Sequence, residues 1–260
     1  MAAQTPSELF DLSGRVAVVT GGSRGMGREI VLAYARAGAD VVIASRKLEN
    51  CAEVADEVRS TTGQRALAVA CHVGYWEQCD ELCDRVYDEF GHCEVLVNNA
   101  GLSPLYPSLF DVSEALFDKV IDVNLKGPFR ASAVFGKRMY DAGGGSIINV
   151  SSVSAVMPTP NETAYGAAKA GVHAITASFA REYGPRVRVN CIMPGPFLTD
   201  ISKAWDMDAF NKRAATDIAL RRGGEADEVV GAALYFASEA SSYTTGSVLK
   251  IDGGSAWATG

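Results

Sequence analysis

Residues 16–27 read VAVVTGGSRGMG: a run of β-branched and small apolar residues ends at Thr20 and passes directly into a glycine-rich turn. Gly21, Ser23, Arg24, Gly25, Met26 and Gly27 occupy that turn, and a helical pattern follows from Gly25 to Ala37. Glycines allow the tight turn and a close approach of backbone to a pyrophosphate, whose charge meets the N–H groups at a helix start. A glycine-rich stretch alone would equally suit a flexible turn. Between a strand and a helix it has the context of a dinucleotide-binding turn.

Outward from that turn the same alternation continues to both ends of the chain. Apolar runs fall at Val16–Val19, Val41–Ala44, Ala66–Ala70, Val95–Val97, Ile147–Val150, Val187–Ile192 and Val248–Ile251. Helical patterns lie between them at Gly25–Ala37, Leu48–Thr61, Trp76–Phe90, Ser113–Tyr140, Ala164–Tyr183 and Glu225–Ser238. Strands spaced by helices of this length predict an α/β fold: a doubly wound parallel sheet of about seven strands with helices on both faces. No linker, repeat or low-complexity tract interrupts the 260 residues, so a single domain, 1–260, is expected. The stretch Phe197–Arg222 breaks the rhythm and sets Phe197, Trp205, Met207 and Phe210 among charges. Placed after the sixth strand, it lies over the carboxyl ends of the strands, where such sheets bind ligands. It reads either as a substrate lid, about 197–222, or as a pair of helices for subunit contact.

The end of the second strand bears on nucleotide choice. A site for NAD usually places a carboxylate there, on the ribose 2′-hydroxyl. This chain places Ser45 and Arg46 there, with Arg24 available from the glycine turn, while Asp40 lies back at the start of the strand. A hydroxyl and two guanidiniums suit a 2′-phosphate, which a carboxylate would repel. The expectation is therefore NADP (NADPH), with NAD second.

A third constellation is the run S-x12-Y-x3-K formed by Ser152, Tyr165 and Lys169. Tyr165 and Lys169 stand at i and i+4, one turn apart on one helix face. Ser152 follows an apolar strand at the exposed end of the sheet. A phenol titrates near ~10 and is a poor base at neutral pH. An adjacent ammonium favours the phenolate, which would bring the group toward its working range.

Composition excludes several classes. A formal net charge of −7 without a basic cluster argues against nucleic acid or anionic membrane as a partner. No apolar stretch approaches the ~18 residues of a membrane span, and Met1–Gly14 lacks the pattern of a secretory signal, so a cytoplasmic protein is expected. Six cysteines and three histidines include no C-x2-C pair. They read as buried reduced thiols with no metal site.

Taken together these motifs resemble the short-chain dehydrogenase/reductase family over nearly the whole chain, which implies a Rossmann-like fold. The family's T-G-x3-G-x-G appears as Thr20, Gly21, Gly25 and Gly27, and its N-N-A-G as Asn98, Asn99, Ala100 and Gly101. A further catalytic asparagine matches Asn124. Ser152, Tyr165 and Lys169 match the catalytic Ser, Tyr and Lys, and Pro194-Gly195 the motif after strand six. Thr199 falls where the nicotinamide carboxamide is usually held, and Asp252-Gly253-Gly254 also fits. One departure is Cys71-His72-Val73, where the family often has an aspartate near the adenine. His72 would either accept a hydrogen bond from the adenine amino group through a ring nitrogen or merely pack beside the base.

The resemblance implies hydride transfer between NADP(H) and a ketone or secondary alcohol. Tyr165 would carry the proton, Ser152 hold the oxygen, Lys169 bind the ribose and lower the phenol pKa, and Asn124 hold a relay water. Pocket candidates are Ser154, Met157, Phe197 and Trp205, with Leu102, Pro104, Leu105 and Pro158 around them. A 3-oxoacyl thioester reductase is the alternative, and a non-catalytic NADPH sensor the third reading. A homotetramer is implied as well, with the apolar face of Ala164–Tyr183 and the segment Ser247–Trp257 as contact surfaces.

Overall fold

The computed structural model describes residues 5–199, 202 and 205–256. In chain order the elements are α1 (Pro6–Leu9), β1 (Val16–Thr20), α2 (Gly25–Arg36), β2 (Asp40–Ser45), α3 (Leu48–Thr62), β3 (Ala66–Ala70), α4 (Trp76–Phe90) and β4 (Val95–Asn98). There follow α5 (Glu114–Ile121), α6 (Gly127–Ala142), β5 (Gly145–Val150), α7 (Thr163–Glu182) and β6 (Val187–Pro194). The chain continues through β7 (Phe197–Leu198), α8 (Met207–Asp217), β8 (Gly224–Glu225), α9 (Val230–Ala237) and β9 (Val248–Ile251).

Seven strands form one parallel sheet in the order β3-β2-β1-β4-β5-β6-β9. The order reverses between β1 and β4, and the crevice at their carboxyl ends is where such sheets take ligands. Side chains alternate across the sheet, as the strand period of two requires. Ala17, Val19, Val95 and Val97 join one buried cluster with Ile30, Val54, Val58 and Phe236. Val16, Val18 and Leu96 join the other with Leu82, Val86, Phe135 and Met139. Each fully buried Val, Leu or Ile contributes roughly 1.5–3 kcal/mol, so both faces anchor the sheet. β9 departs from the expected two-sided burial: it is an edge strand, and Val248 and Leu249 are 40% and 38% exposed.

Two expected elements are more finely divided. The single helix read over Ser113–Tyr140 is two helices, α5 and α6, joined by a widened π turn at Asp122–Lys126. Glu225–Ser238 begins as a 3-10 turn at Ala226–Val229 and becomes α-helical only from Val230.

The irregular stretch after β6 has a small core of its own. β7 pairs in parallel with β8, placing Phe197 opposite Gly224. α8 buries Phe210 and Ala214 together with Ile218 just past its end, and Leu198 and Trp205 pack against them. Asp206 caps that helix by accepting from the Ala209 N–H at 3.0 Å. Of the segment read as 197–222, residues 200, 201, 203 and 204 lie outside the described residues, as does Trp257 of the expected contact surface. Among the described residues, no helix is long and apolar enough to cross a membrane. All six cysteines are buried and unbridged.

Candidate active site

The glycine turn is shaped by positive φ at Gly21 (65°) and Gly25 (53°), conformations that a side chain strains. Gly27 has a different constraint: a Cβ there would lie 2.2 Å from the Gly21 carbonyl oxygen. Hydrogen bonds from β4 lock the turn. Thr20 Oγ1 accepts from the Asn99 and Ala100 N–H groups at 3.1 and 3.2 Å, and donates to the Val97 carbonyl at 3.2 Å. Asn99 Nδ2 donates to the carbonyls of Thr20 and Gly21 at 3.0 and 3.2 Å. The Asn99 amide therefore holds the turn closed. Beneath it, Asn98 Nδ2 donates to Asn149 Oδ1, and Asn149 Nδ2 to Thr176 Oγ1, both at 2.9 Å. This buried polar chain satisfies itself and ties β4, β5 and α7 together.

The other nucleotide residues surround the same crevice. Ser23 and Ser45 share a hydrogen bond of 2.9 Å across the ends of β1 and β2, with Arg46 exposed beyond them. Arg24 is the N-cap residue of α2, and Met26 packs against the core. Pro194 ends β6, and the Gly195 N–H donates to the Ile251 carbonyl at 2.8 Å. A Cβ on Gly25 would touch Thr199 at 3.4 Å, so the glycine turn and the segment after β6 meet across the crevice. Val73 is buried.

His72 is more constrained than the sequence suggests. Its Nδ1 accepts from the Gly74 N–H at 3.1 Å, and its ring lies 4.7 Å from that of Tyr75. In the neutral ring Nε2 then carries the proton. The accepting nitrogen faces Gly74, which leaves the Nε2 donor of the neutral ring for any other neighbour.

Ser152, Tyr165, Lys169 and Asn124 come together at the carboxyl ends of β4 and β5. The Lys169 Nζ lies 5.7 Å from the Tyr165 ring centroid and donates to the Val150 carbonyl at 2.8 Å. A Cβ on Gly101 would stand 3.0 Å from Asn124 Oδ1 and 3.6 Å from Lys169 Nζ, which marks Gly101 as the floor above both. Asn124 is fully buried at the centre of the π turn. Both its amide protons are engaged, by the Leu102 and Val120 carbonyls at 2.8 and 2.9 Å, and its Oδ1 accepts from the Leu102 N–H at 3.2 Å. The side chain thus pins the loop after β4 and could offer a water only an acceptor.

The electrostatics differ from expectation. Burial pushes the Tyr165 phenol up to about 12; a hydrogen bond with Ser152 works the other way, and the Glu162 charge raises it further. Burial likewise draws the Lys169 ammonium down to about 8. Desolvation outweighs the Ser152 hydrogen bond at Tyr165, so in the protein alone the phenol is held protonated.

Of the pocket candidates, Ser154 is buried and Met157 is 48% exposed. Phe197 lies in the core cluster under the sheet, and Trp205 packs on Phe210 with ring centroids 5.2 Å apart. Sequence reading passed over Glu162 and Ser103. Ser154 Oγ donates to Glu162 Oε1 at 2.7 Å, Ser103 Oγ to Glu162 Oε2 at 3.2 Å, and Ser152 Oγ to Ser154 Oγ at 3.3 Å. The one local signal was an acidic residue three positions before Tyr165.

The glycine cradle, the exposed arginine beyond β2 and the buried lysine beside a tyrosine fit a nicotinamide dinucleotide laid along the crevice. A family model described as enoyl-(acyl carrier protein) reductase matches residues 21–256. A short-chain type dehydrogenase/reductase of Picea abies is 36% identical over 251 residues, covering 94% of this chain and 93% of the relative. A D-threitol dehydrogenase of Mycolicibacterium smegmatis is 37% identical, with 94% of each chain covered. The solved structure of a putative short-chain alcohol dehydrogenase from Sinorhizobium meliloti superposes with a TM-score of 0.91 at 38% identity, covering 95% of this chain and 98% of that one. The sheet order and the crevice define a Rossmann-type fold, and the relatives it matches make the class that of the oxidoreductases. The chain belongs to the short-chain dehydrogenase/reductase family.

Proposed function

We propose that this oxidoreductase transfers a hydride between NADP(H) and a ketone or secondary alcohol. The observation that carries the reading is the convergence of Ser152, Tyr165, Lys169 and Asn124 beside the glycine turn. When bound, the nicotinamide supplies or accepts the hydride, and position and field are the protein's contribution. In reduction, Tyr165 gives its proton to the carbonyl oxygen, a role suited to a phenol held protonated. Ser152 holds that oxygen as negative charge develops on it. Lys169 would hold the nicotinamide ribose, and Asn124 keeps the loop after β4 in place. The Gly21–Gly27 turn would hold the pyrophosphate, Ala100 and Gly101 would line the crevice, and Thr199 would hold the carboxamide.

Ser45, Arg46 and Arg24 favour a 2′-phosphate, and no carboxylate ends β2. The D-threitol dehydrogenase relative, named for a polyol, supports a substrate alcohol. A cytoplasmic homotetramer completes the reading; a monomer in sizing chromatography at micromolar concentration would refute the tetramer.

The test follows NADPH and NADH absorbance against ketones, diketones, sugars and 3-oxoacyl thioesters. Oxidation of NADPH with a ketone, reduced about a hundredfold to ten-thousandfold in Tyr165→Phe while NADPH binding persists, is the expected result. Turnover unchanged in that variant would overturn the assignment, and turnover of thioesters alone would select the acyl-thioester reading.

A further inference from the structure

Glu162 occupies the N-cap position of α7, yet its side chain makes no capping hydrogen bond. Instead its two carboxylate oxygens are held by hydroxyls from different loops: Ser103 after β4 at 3.2 Å and Ser154 after β5 at 2.7 Å. Ser154 in turn accepts from Ser152 at 3.3 Å, so the carboxylate stands two hydrogen bonds from the hydroxyl that receives the substrate oxygen. Glu162 is also close enough for its charge to act on the Tyr165 phenol. On the same loops Leu102 is partly buried, and Leu105 and Met157 are exposed. A carboxylate offers about four acceptor positions, and the two serines occupy two of them.

We propose that Glu162 selects substrates carrying a hydrogen-bond donor, a hydroxyl or an ammonium, on the carbon next to the reacting carbonyl, and rejects those carrying an anion there. This rests on the reading of the crevice as a ketone-reducing site. A substrate lying between Ser152 and Tyr165 would cover the carboxylate and displace the water that solvates an exposed acceptor. A neighbouring hydroxyl replaces that water with a charge-assisted hydrogen bond. A methyl leaves the acceptor unpaired, and a second carboxylate repels it. An ammonium at the same place presents the same donor chemistry.

The test compares four ketones of nearly equal size, hydroxyacetone, aminoacetone, 2-butanone and pyruvate, with wild type and Glu162→Gln. In wild type, kcat/KM for hydroxyacetone should exceed that for 2-butanone by about tenfold to a hundredfold, with pyruvate poorest. Glu162→Gln, its fold verified by its melting temperature and NADPH affinity, should lose most of that ratio and admit pyruvate. It should also shift the pH profile of alcohol oxidation to lower pH, because the charge that raises the Tyr165 phenol is gone. Aminoacetone surpassing hydroxyacetone would support the proposal with an ammonium as the donor. The wild-type ratio is read on the unaltered chain, so the test stands even if the variant misfolds. A wild-type ratio near one, a ratio that survives Glu162→Gln, or a preference for pyruvate overturns the inference while leaving ketone reduction in place. No turnover of any ketone with either nucleotide overturns both.

Discussion

The two sides of the crevice are built from different materials. The nucleotide side, β1 through β4, is mostly backbone: glycines at positive φ, a threonine and an asparagine spent on main-chain groups, and central strands β1 and β4 buried on both faces. The substrate side is mostly side chains on loops after β4, β5 and β6, where Glu162, Ser103 and Ser154 meet from far apart in the chain. A backbone cradle tolerates almost no added atoms. A side-chain pocket can change its chemistry while the scaffold stays, because loops carry few obligatory contacts.

That contrast is most sharply broken at Gly27. In Gly27→Ala the new Cβ would overlap the Gly21 carbonyl and the Asn99 amide, with backbone on one side unable to yield. We expect nucleotide binding to be lost and stability to fall by about 1–3 kcal/mol, read by fluorescence titration and chemical denaturation. Retention of NADPH affinity would mean that the cradle is softer than the sheet beneath it.

A smaller effect is expected at Ser45. Ser45→Asp sets a carboxylate beyond β2, within reach of the Ser23 hydroxyl. NADPH affinity should fall about tenfold or more and NADH affinity should rise, as measured by titration of each nucleotide. An unchanged NADPH affinity would remove the case for a 2′-phosphate site.

The remaining change concerns stability alone. Lys169 is 2% exposed, and its ammonium is drawn from 10.5 to about 8 by burial. Between those values the unfolded chain holds the proton and the native chain does not, so native stability rises with pH across that window. Below pH 8 the buried charge costs on the order of 3 kcal/mol. Without added nucleotide, the melting temperature of Lys169→Met relative to wild type should be more favourable at pH 7 than at pH 10. A difference independent of pH would show that the lysine is solvated in the native protein.

Much of this was legible in the chain. All seven main strands fall where apolar runs stand between helical patterns, because a doubly covered sheet demands uninterrupted apolar runs. Tyr165 and Lys169 share a helix face because their spacing is one turn. The two-residue strands β7 and β8 were not legible, since runs that short carry no period. The π turn at Asp122–Lys126 inserts one residue into a helical pattern that otherwise continues through it. Phe197 looked like a pocket residue because it follows β6, and only packing places it in the core. The His72 ring nitrogen facing Gly74 follows from a backbone turn that residue type does not reveal.

By itself the sequence determined the α/β alternation, the glycine turn and the helix that pairs Tyr165 with Lys169, because each is written within a few residues or in one regular period. The tertiary structure alone decided that burial outweighs the Ser152 hydrogen bond at the phenol, that Asn124 is spent on Val120 and the loop after β4, and that Glu162 stands beside the reacting hydroxyls. Desolvation and hydrogen-bond partnership depend on which distant segments close over a group, and that is settled only when the strands align and bring their loops to one edge.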